Sequence, residues 1–181
     1  TGSKYGDNKD TFEQPVRVST DILFTLDRSC SMIDNNEAVA SNFNVFLETI
    51  VGFDADYHIA VVVEDDGCIL GTENYIDNTM SLAEAQETFG TMADIATTTA
   101  GLYTEAGFTL AQNALSPSKI GVGGCNSGFF RDTAYLSLVH VSDEEEQSTD
   151  SWSSYVTAFQ DMKSSDDEMV INAVAGDVPS G

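Results

Sequence analysis

Asp27, Ser29 and Ser31 alternate in the run Asp27-Arg28-Ser29-Cys30-Ser31, a D-x-S-x-S pattern. One carboxylate and two hydroxyls at this spacing can turn three oxygens toward one point. Hard divalent cations such as Mg2+ take such all-oxygen shells and keep several of their waters. The pattern is short and recurs by chance, so its weight depends on what the fold brings beside it. A further hydroxyl, Thr104, opens a helical segment, and a further carboxylate, Asp143, follows an apolar strand.

Other chemistries find less support. Ser29, His140 and Asp143 contain the residue types of a hydrolytic triad. There is no G-x-S-x-G elbow, however, and Asp143 lies only three residues after His140. No Gly-rich loop carries the Lys that would cradle a phosphate. His58 and His140 lack zinc-type spacing, and each falls in a strand, where a lone histidine is expected to be structural.

The elements that must position these residues are legible as hydrophobic runs. Residues 21–27, 58–63, 134–141 and 169–175 are continuous and apolar, as buried strands are, and 69–76 reads as a weak edge strand. Val39, Phe43, Phe46, Leu47 and Ile50 form one stripe of a helix over 36–53. Ser81 and Glu84 have capping-box spacing at the start of a second helix. Two more helices are expected over 104–115, with Pro117 just past its end, and over 151–163. Residues 116–131 read as a Gly-rich loop. Strands alternate with helices, which predicts a mostly parallel sheet covered on both faces. Functional groups of such a sheet gather beyond the carboxyl ends of its strands.

The acids fall at those ends: Asp27; Glu64, Asp65 and Asp66; Asp143, Glu144, Glu145 and Glu146; and Asp177. Like charges that converge raise one another's pKa, and a bound cation relieves them. Glu64, Asp65, Asp66 and Glu145 are therefore candidate ligands for additional cations.

The chain resembles a von Willebrand factor type A domain, the fold of integrin inserted domains. The resemblance rests on ILFTLDRSCSM at 22–32, TEAGFTLAQNAL at 104–115 and LVHVSDEE at 138–145. It implies a three-layer α-β-α architecture, Rossmann-like, with a mostly parallel open twisted sheet and one antiparallel edge strand, spanning residues 20–178. Residues 1–19 would be a linker or strap and 179–181 a tail. It also implies a metal-ion-dependent adhesion site on Asp27, Ser29, Ser31, Thr104 and Asp143. The ion would be Mg2+ or Ca2+, with Mn2+ also admissible. The function implied is non-catalytic binding of a carboxylate on a protein or glycan partner, within a larger multidomain protein. A structural module with a stabilising metal is the alternative. A metal-dependent hydrolase with Glu145 or Asp65 as base is a third.

Departures are visible. Cys30 stands between the serines, where the family often has glycine, and Arg28 is an unusual neighbour for a cation, expected to point away. The family's further helix, strand and helix after residue 175 are absent, as in a chain cut short or a trimmed variant. The family's strand order makes the first two strands neighbours and implies a Cys30–Cys68 disulfide, with two free thiols as the alternative. Cys125 is then expected at the opposite edge, with a partner beyond Gly181.

Composition sets the outer bounds. There are 30 acidic residues against 7 basic, a net charge of -23, and the pI is near 4.1. Nucleic acid is excluded as an electrostatic partner, and the charge argues against docking to an anionic membrane surface. Hydrophobic residues at 41% supply one core. No apolar run is long enough to span a bilayer, and the first ten residues do not read as a signal peptide. Few lysines and many acids fit an extracellular or surface-displayed protein in a saline, bacterial setting.

Overall fold

The computed structural model describes residues 18–94 and 105–175. Strand β1 (Ser19–Leu26) lies at the centre of a four-stranded sheet with β2 (Asp56–Val62), β3 (Tyr135–Ser142) and β4 (Met169–Ala175). The order is β2-β1-β3-β4 and every pairing is parallel. The continuous apolar runs explain this for β1, β2 and β3, whereas β4, expected to be covered on both faces, lies at the sheet edge with no buried residue. Ile59 to Val63 are all buried, as strands covered on both faces must be. The expected antiparallel edge strand over 69–76 reduces to one bridge between Ile59 and Ile76. Its polar groups are spent elsewhere: Ile69 N donates to Asn126 Oδ1 and Asn74 Nδ2 to Ser127 O, and Gly71 turns the chain at φ 100°.

Neighbouring residues on a strand face opposite ways, and Phe24 and Thr25 divide the molecule accordingly. Phe24 meets α1 (Ile33–Gly52) and α2 (Leu82–Met92) through edge-on contacts with Phe46 and Phe89. Phe43 stacks on Phe89, which completes an aromatic cluster. The capping box of α2 forms as its spacing predicts: Ser81 N donates to Glu84 Oε2, and Glu84 N to Ser81 Oγ.

Thr25 faces α3 (Gly107–Ala114) and α5 (Trp152–Gln160). Its Oγ1 lies 2.6 Å from His140 Nδ1 on the adjacent strand. A Cβ on Gly107 would meet that nitrogen at 2.7 Å, so only glycine lets α3 approach this closely. Phe108 then meets His140 edge-on and stacks on Tyr155. The layers are therefore α-β-α. Pro117 follows α3 as expected, yet it also opens a short α4 (Pro117–Ile120) at the position where its missing N–H costs nothing.

At the amino end of the sheet Arg131 is a clamp. Its backbone N and Nε donate to the buried Asp21 at 2.6 and 2.8 Å, and Nη1 lies 3.0 Å from Asp56. Burial pushes the Asp21 carboxyl up, opposed by Arg131 and His58. Lys163 locks the same loop by donating to the carbonyls of Arg131 and Ala134.

The disulfide differs from the expected Cys30–Cys68 pairing. Cys68 pairs with Cys125, with Cα atoms 5.6 Å apart, and Cys30 is free and exposed. Two features of the chain path explain this. Gly67 turns at φ 79° so tightly against α3 that a Cβ would meet Ala114 N at 2.6 Å, which carries Cys68 to the α3 face. Cys30 precedes α1, on the other face. Also, α3 has only 8 residues and crosses the sheet end from His140 to Gly67 instead of running its length. The loop after it must descend along β2, so Cys125 starts at the carboxyl edge and not the opposite one. Asn126 holds that start by donating to Gly67 O and Ala114 O.

Four measurements check this packing. Thiol titration of the native, unreduced protein should give one reactive cysteine, Cys30, and peptide mapping should join Cys68 to Cys125. The Cys68→Ser/Cys125→Ser variant should lose up to about 4 kcal/mol of stability, the chain-entropy value for this loop. A Cys30-containing disulfide would contradict the path described. Burial holds His140 below the ordinary imidazole range, against a smaller opposing effect of Glu146. The unfolded chain takes up that proton first. Stability from this site is therefore complete above about pH 6.5 and falls as pH drops below it. Histidine ring NMR should place the His140 midpoint below that of a free imidazole, and a midpoint at the free-imidazole value would contradict its burial.

Candidate metal centre

The D-x-S-x-S segment begins where β1 stops pairing. Asp27 N donates to Val141 O at 2.9 Å, which sets Asp27 beside the end of β3. The Asp27 side chain is buried, and each of its oxygens accepts one hydrogen bond. Oδ1 accepts from Ser29 N at 2.6 Å, and Oδ2 accepts from Ser142 Oγ at 2.5 Å. Its carbonyl accepts from Asn36 Nδ2 at 2.7 Å, which ties the loop to α1. A single 3-10 turn, Cys30–Met32, follows, anchored by the buried Met32.

That turn brings the hydroxyls together. Ser29 Oγ and Ser31 Oγ are 2.9 Å apart, and Ser31 Oγ donates to Asp143 Oδ1 at 3.1 Å. Four of the five predicted ligands, Asp27, Ser29, Ser31 and Asp143, thus share one edge, joined by hydrogen bonds. Thr104 lies outside the described residues, as does Asp177. Ligands at about 2.05 Å around an octahedral ion stand about 2.9 Å apart along each edge. Ser29 Oγ and Ser31 Oγ, 2.9 Å apart as hydrogen-bonded partners, already stand at that separation.

Arg28 does point away from this edge. Its side chain is largely buried, with Nη1 2.6 Å from Glu64 and Nη2 3.1 Å from Asp94. The guanidinium therefore neutralises the acid at the end of β2 and leaves those of β1 and β3 alone. Asp66 Oδ1 accepts from Cys68 N and closes its own turn. Asn113 Nδ2 donates to Asp65 O. Among the described residues no group of three or more His, Cys, Asp or Glu could hold a metal ion. Glu64, Asp65, Asp66 and Glu145 form no such cluster, and a cation at this edge would depend on hydroxyl oxygens.

Glu105 is the participant that the sequence pattern did not single out. Burial raises its pKa, and Asp27, Glu144 and Asp143 raise it further, against the amide of Gln147. One carboxyl thus senses three others, which is how an uncompensated negative edge registers. Its position directly after Thr104 was the available signal. Glu146 is a loop fastener: its two oxygens accept from Gly107 N and Ser148 N. A cavity of about 100 Å³ lies beneath the edge, lined by Thr25, Asp27, Glu105 and His140 among others. His140 engages Thr25 and not Asp143, so the two do not form the hydrogen-bonded half of a triad.

No protein-family model and no curated protein matches the chain. Among solved structures it is similar to proximal thread matrix protein 1 from the mussel byssus. One crystal form gives 12% identity over 88% of this chain, with a TM-score of 0.48. A structure of that protein described as having a zinc-occupied MIDAS motif gives 11% identity over 88%, with a TM-score of 0.46. A third gives 15% identity over 88%, with a TM-score of 0.47. The chain spans only 38%, 38% and 36% of the length of those three. Similarity at this level bears on neither ligand nor activity.

Proposed function

We propose that this chain is a binding module that coordinates one divalent cation on Asp27, Ser29, Ser31, Thr104 and Asp143 and uses it to capture a carboxylate. The carrying observation is the run of oxygens from Ser29 to Ser31 to Asp143, which joins loops 112 residues apart in sequence. Mg2+ suits the hydroxyl spacing, and Ca2+ or Mn2+ shares its preference for oxygen. Bound there, the ion would act as a Lewis acid toward an acidic oxygen of a protein or glycan partner.

The protein groups have distinct tasks in this reading. Asp27, held by Ser29 N and Ser142, orients the loop and supplies negative charge. Ser29 and Ser31 supply neutral oxygens, so only two carboxylates offset the ion and it stays electrophilic. Arg28 is kept from competing by Glu64 and Asp94. The net charge of -23 repels acidic partners at long range, so a partner needs a basic surround or a salty medium. The Cys68–Cys125 disulfide fits an oxidising compartment and supports an extracellular setting.

A second reading has its own support. The hydroxyls already satisfy one another and Asp143, so the same chain could serve as a latch between two loops, with any metal only stabilising it.

Calorimetry decides between them. The wild-type protein should bind Mg2+ with one site. Asp143→Ala and Ser31→Ala should each weaken it at least tenfold, while the fold, read by circular dichroism, is retained. Unchanged Mg2+ affinity in Asp143→Ala would overturn the assignment, and absence of binding in the wild type would leave the latch. Adhesion to a carboxylate-bearing surface should be lost in EDTA and rise with ionic strength. Adhesion that is indifferent to chelation would contradict capture through the ion.

A further inference from the structure

Among the described residues β4 pairs with β3 and with no other strand. Alternate backbone N–H and C=O groups along it therefore point outward, away from the sheet. None of its residues is buried, and Val170 and Val174 are 51% and 56% exposed. By alternation these two share a face with Asn172, which donates to Ser137 Oγ on β3 at 3.4 Å. The other edge differs: β2 is mostly buried and its Ile59 bridges to Ile76. The run Met-Val-Ile-Asn-Ala-Val-Ala holds no charge and no proline, and its pairing with β3 has no bulge. Charge, proline and bulges are the devices that keep an exposed edge from pairing. Their absence here, on a chain of net charge -23, marks β4 as a pairing surface.

We propose that β4 pairs with β4 of a second copy, antiparallel about a two-fold axis through Asn172, so that one sheet runs across both copies. The strand's own sequence selects this occupant. In that register Val170 of each copy faces Val174 of the other, and the two Asn172 amides meet on the axis. On the opposite face Met169 meets Ala175 and Ile171 meets Ala173, each large side chain against a small one. The interface is the same patch on both copies and closes on itself. Charge sets the direction. The acidic turn Asp166–Glu168 precedes β4, and parallel addition would lay two such turns side by side. Antiparallel pairing holds the first residues of the two strands about 20 Å apart, six residues at about 3.4 Å each. That is more than about two Debye lengths in physiological salt. At the far end of β4, Glu144 lines a cavity with Val174 and Ala175, so each acidic turn approaches acid of the other copy there. Salt should therefore tighten the dimer. Because the paired strands run opposite ways, the two carboxyl edges point away from each other. On the cation reading proposed above the dimer would be bivalent, whereas the pairing itself does not rest on that reading.

The test is sedimentation equilibrium of the full chain in EDTA, which keeps the outcome independent of any bound cation. The wild type should associate reversibly to a dimer, at least tenfold more tightly in molar salt than in low salt. Val174→Asp sets a carboxylate against the exposed Val170 of the other copy. It should weaken the dimer at least tenfold and leave the circular dichroism unchanged. Val170→Lys/Val174→Asp should restore the dimer, because the two-fold register places each new lysine opposite the new aspartate of the other copy. A wild type that stays monomeric at every concentration and salt would overturn the proposal, as would a dimer indifferent to Val174→Asp. A dimer that Val174→Asp weakens and the double variant does not restore would overturn the register. A monomer whose outward-facing β4 amides exchange slowly would also contradict it, because another part of the chain would then cover the edge.

Discussion

The hydrogen bond from Asp27 N to Val141 O is the hinge of the whole arrangement. It is the last rung of a parallel ladder in which β1 pairs on both sides, with β2 and with β3. Parallel pairing places strand ends together, so the loops that leave β1 and β3 must start side by side. Thr25 pairs with His140 and Leu26 with Val141, which leaves Asp27 level with Ser142 and the next loop residue, Asp143, within reach of Ser31. Slipping β3 by one residue would turn its side chains to the opposite face and undo both the Ser142 contact and the Thr25–His140 contact. The buried apolar residues of β1 and β3 thus hold the register on which the polar edge depends.

The second constraint is the scarcity of positive charge. Each of the four basic residues in the described part of the chain joins separate elements. Arg28 joins the end of β1 to Glu64 and Asp94, and Arg131 joins the starts of β1 and β2. Lys119 lies 4.0 Å from Asp66, and Lys163 spans two carbonyls and the face of Phe130. Cations so committed cannot also offset Asp27 and Asp143. Asp27, Glu144 and Asp143 accordingly raise the Glu105 pKa beyond the larger rise that burial causes.

The parallel sheet was legible because each main strand is a continuous apolar run, and the place of the D-x-S-x-S segment followed from the end of the first. Phe43 and Leu47 were legible as the inner face of α1, and Ser81 with Glu84 as a cap. The disulfide was not. Nothing in the periodicity of 104–115 reveals that α3 is short and crosses the sheet end, and that crossing decides where Cys125 begins its descent. The edge strand at 69–76 misled for a related reason: its hydrogen-bonding groups go to Asn126 and Ser127, residues more than 50 positions away. The buried Asp21–Arg131 pair was also invisible, because an acid at the start of an apolar strand looks like a solvated terminus.

The most direct measurement of the central claim is anomalous diffraction from crystals grown with millimolar Mn2+. The account predicts one strong peak bounded by the side-chain oxygens of Ser29, Ser31 and Asp143, with Ser29 Oγ and Ser31 Oγ both turned toward it. A map with no peak at that edge, and with Ser31 Oγ still hydrogen-bonded to Asp143, would contradict it.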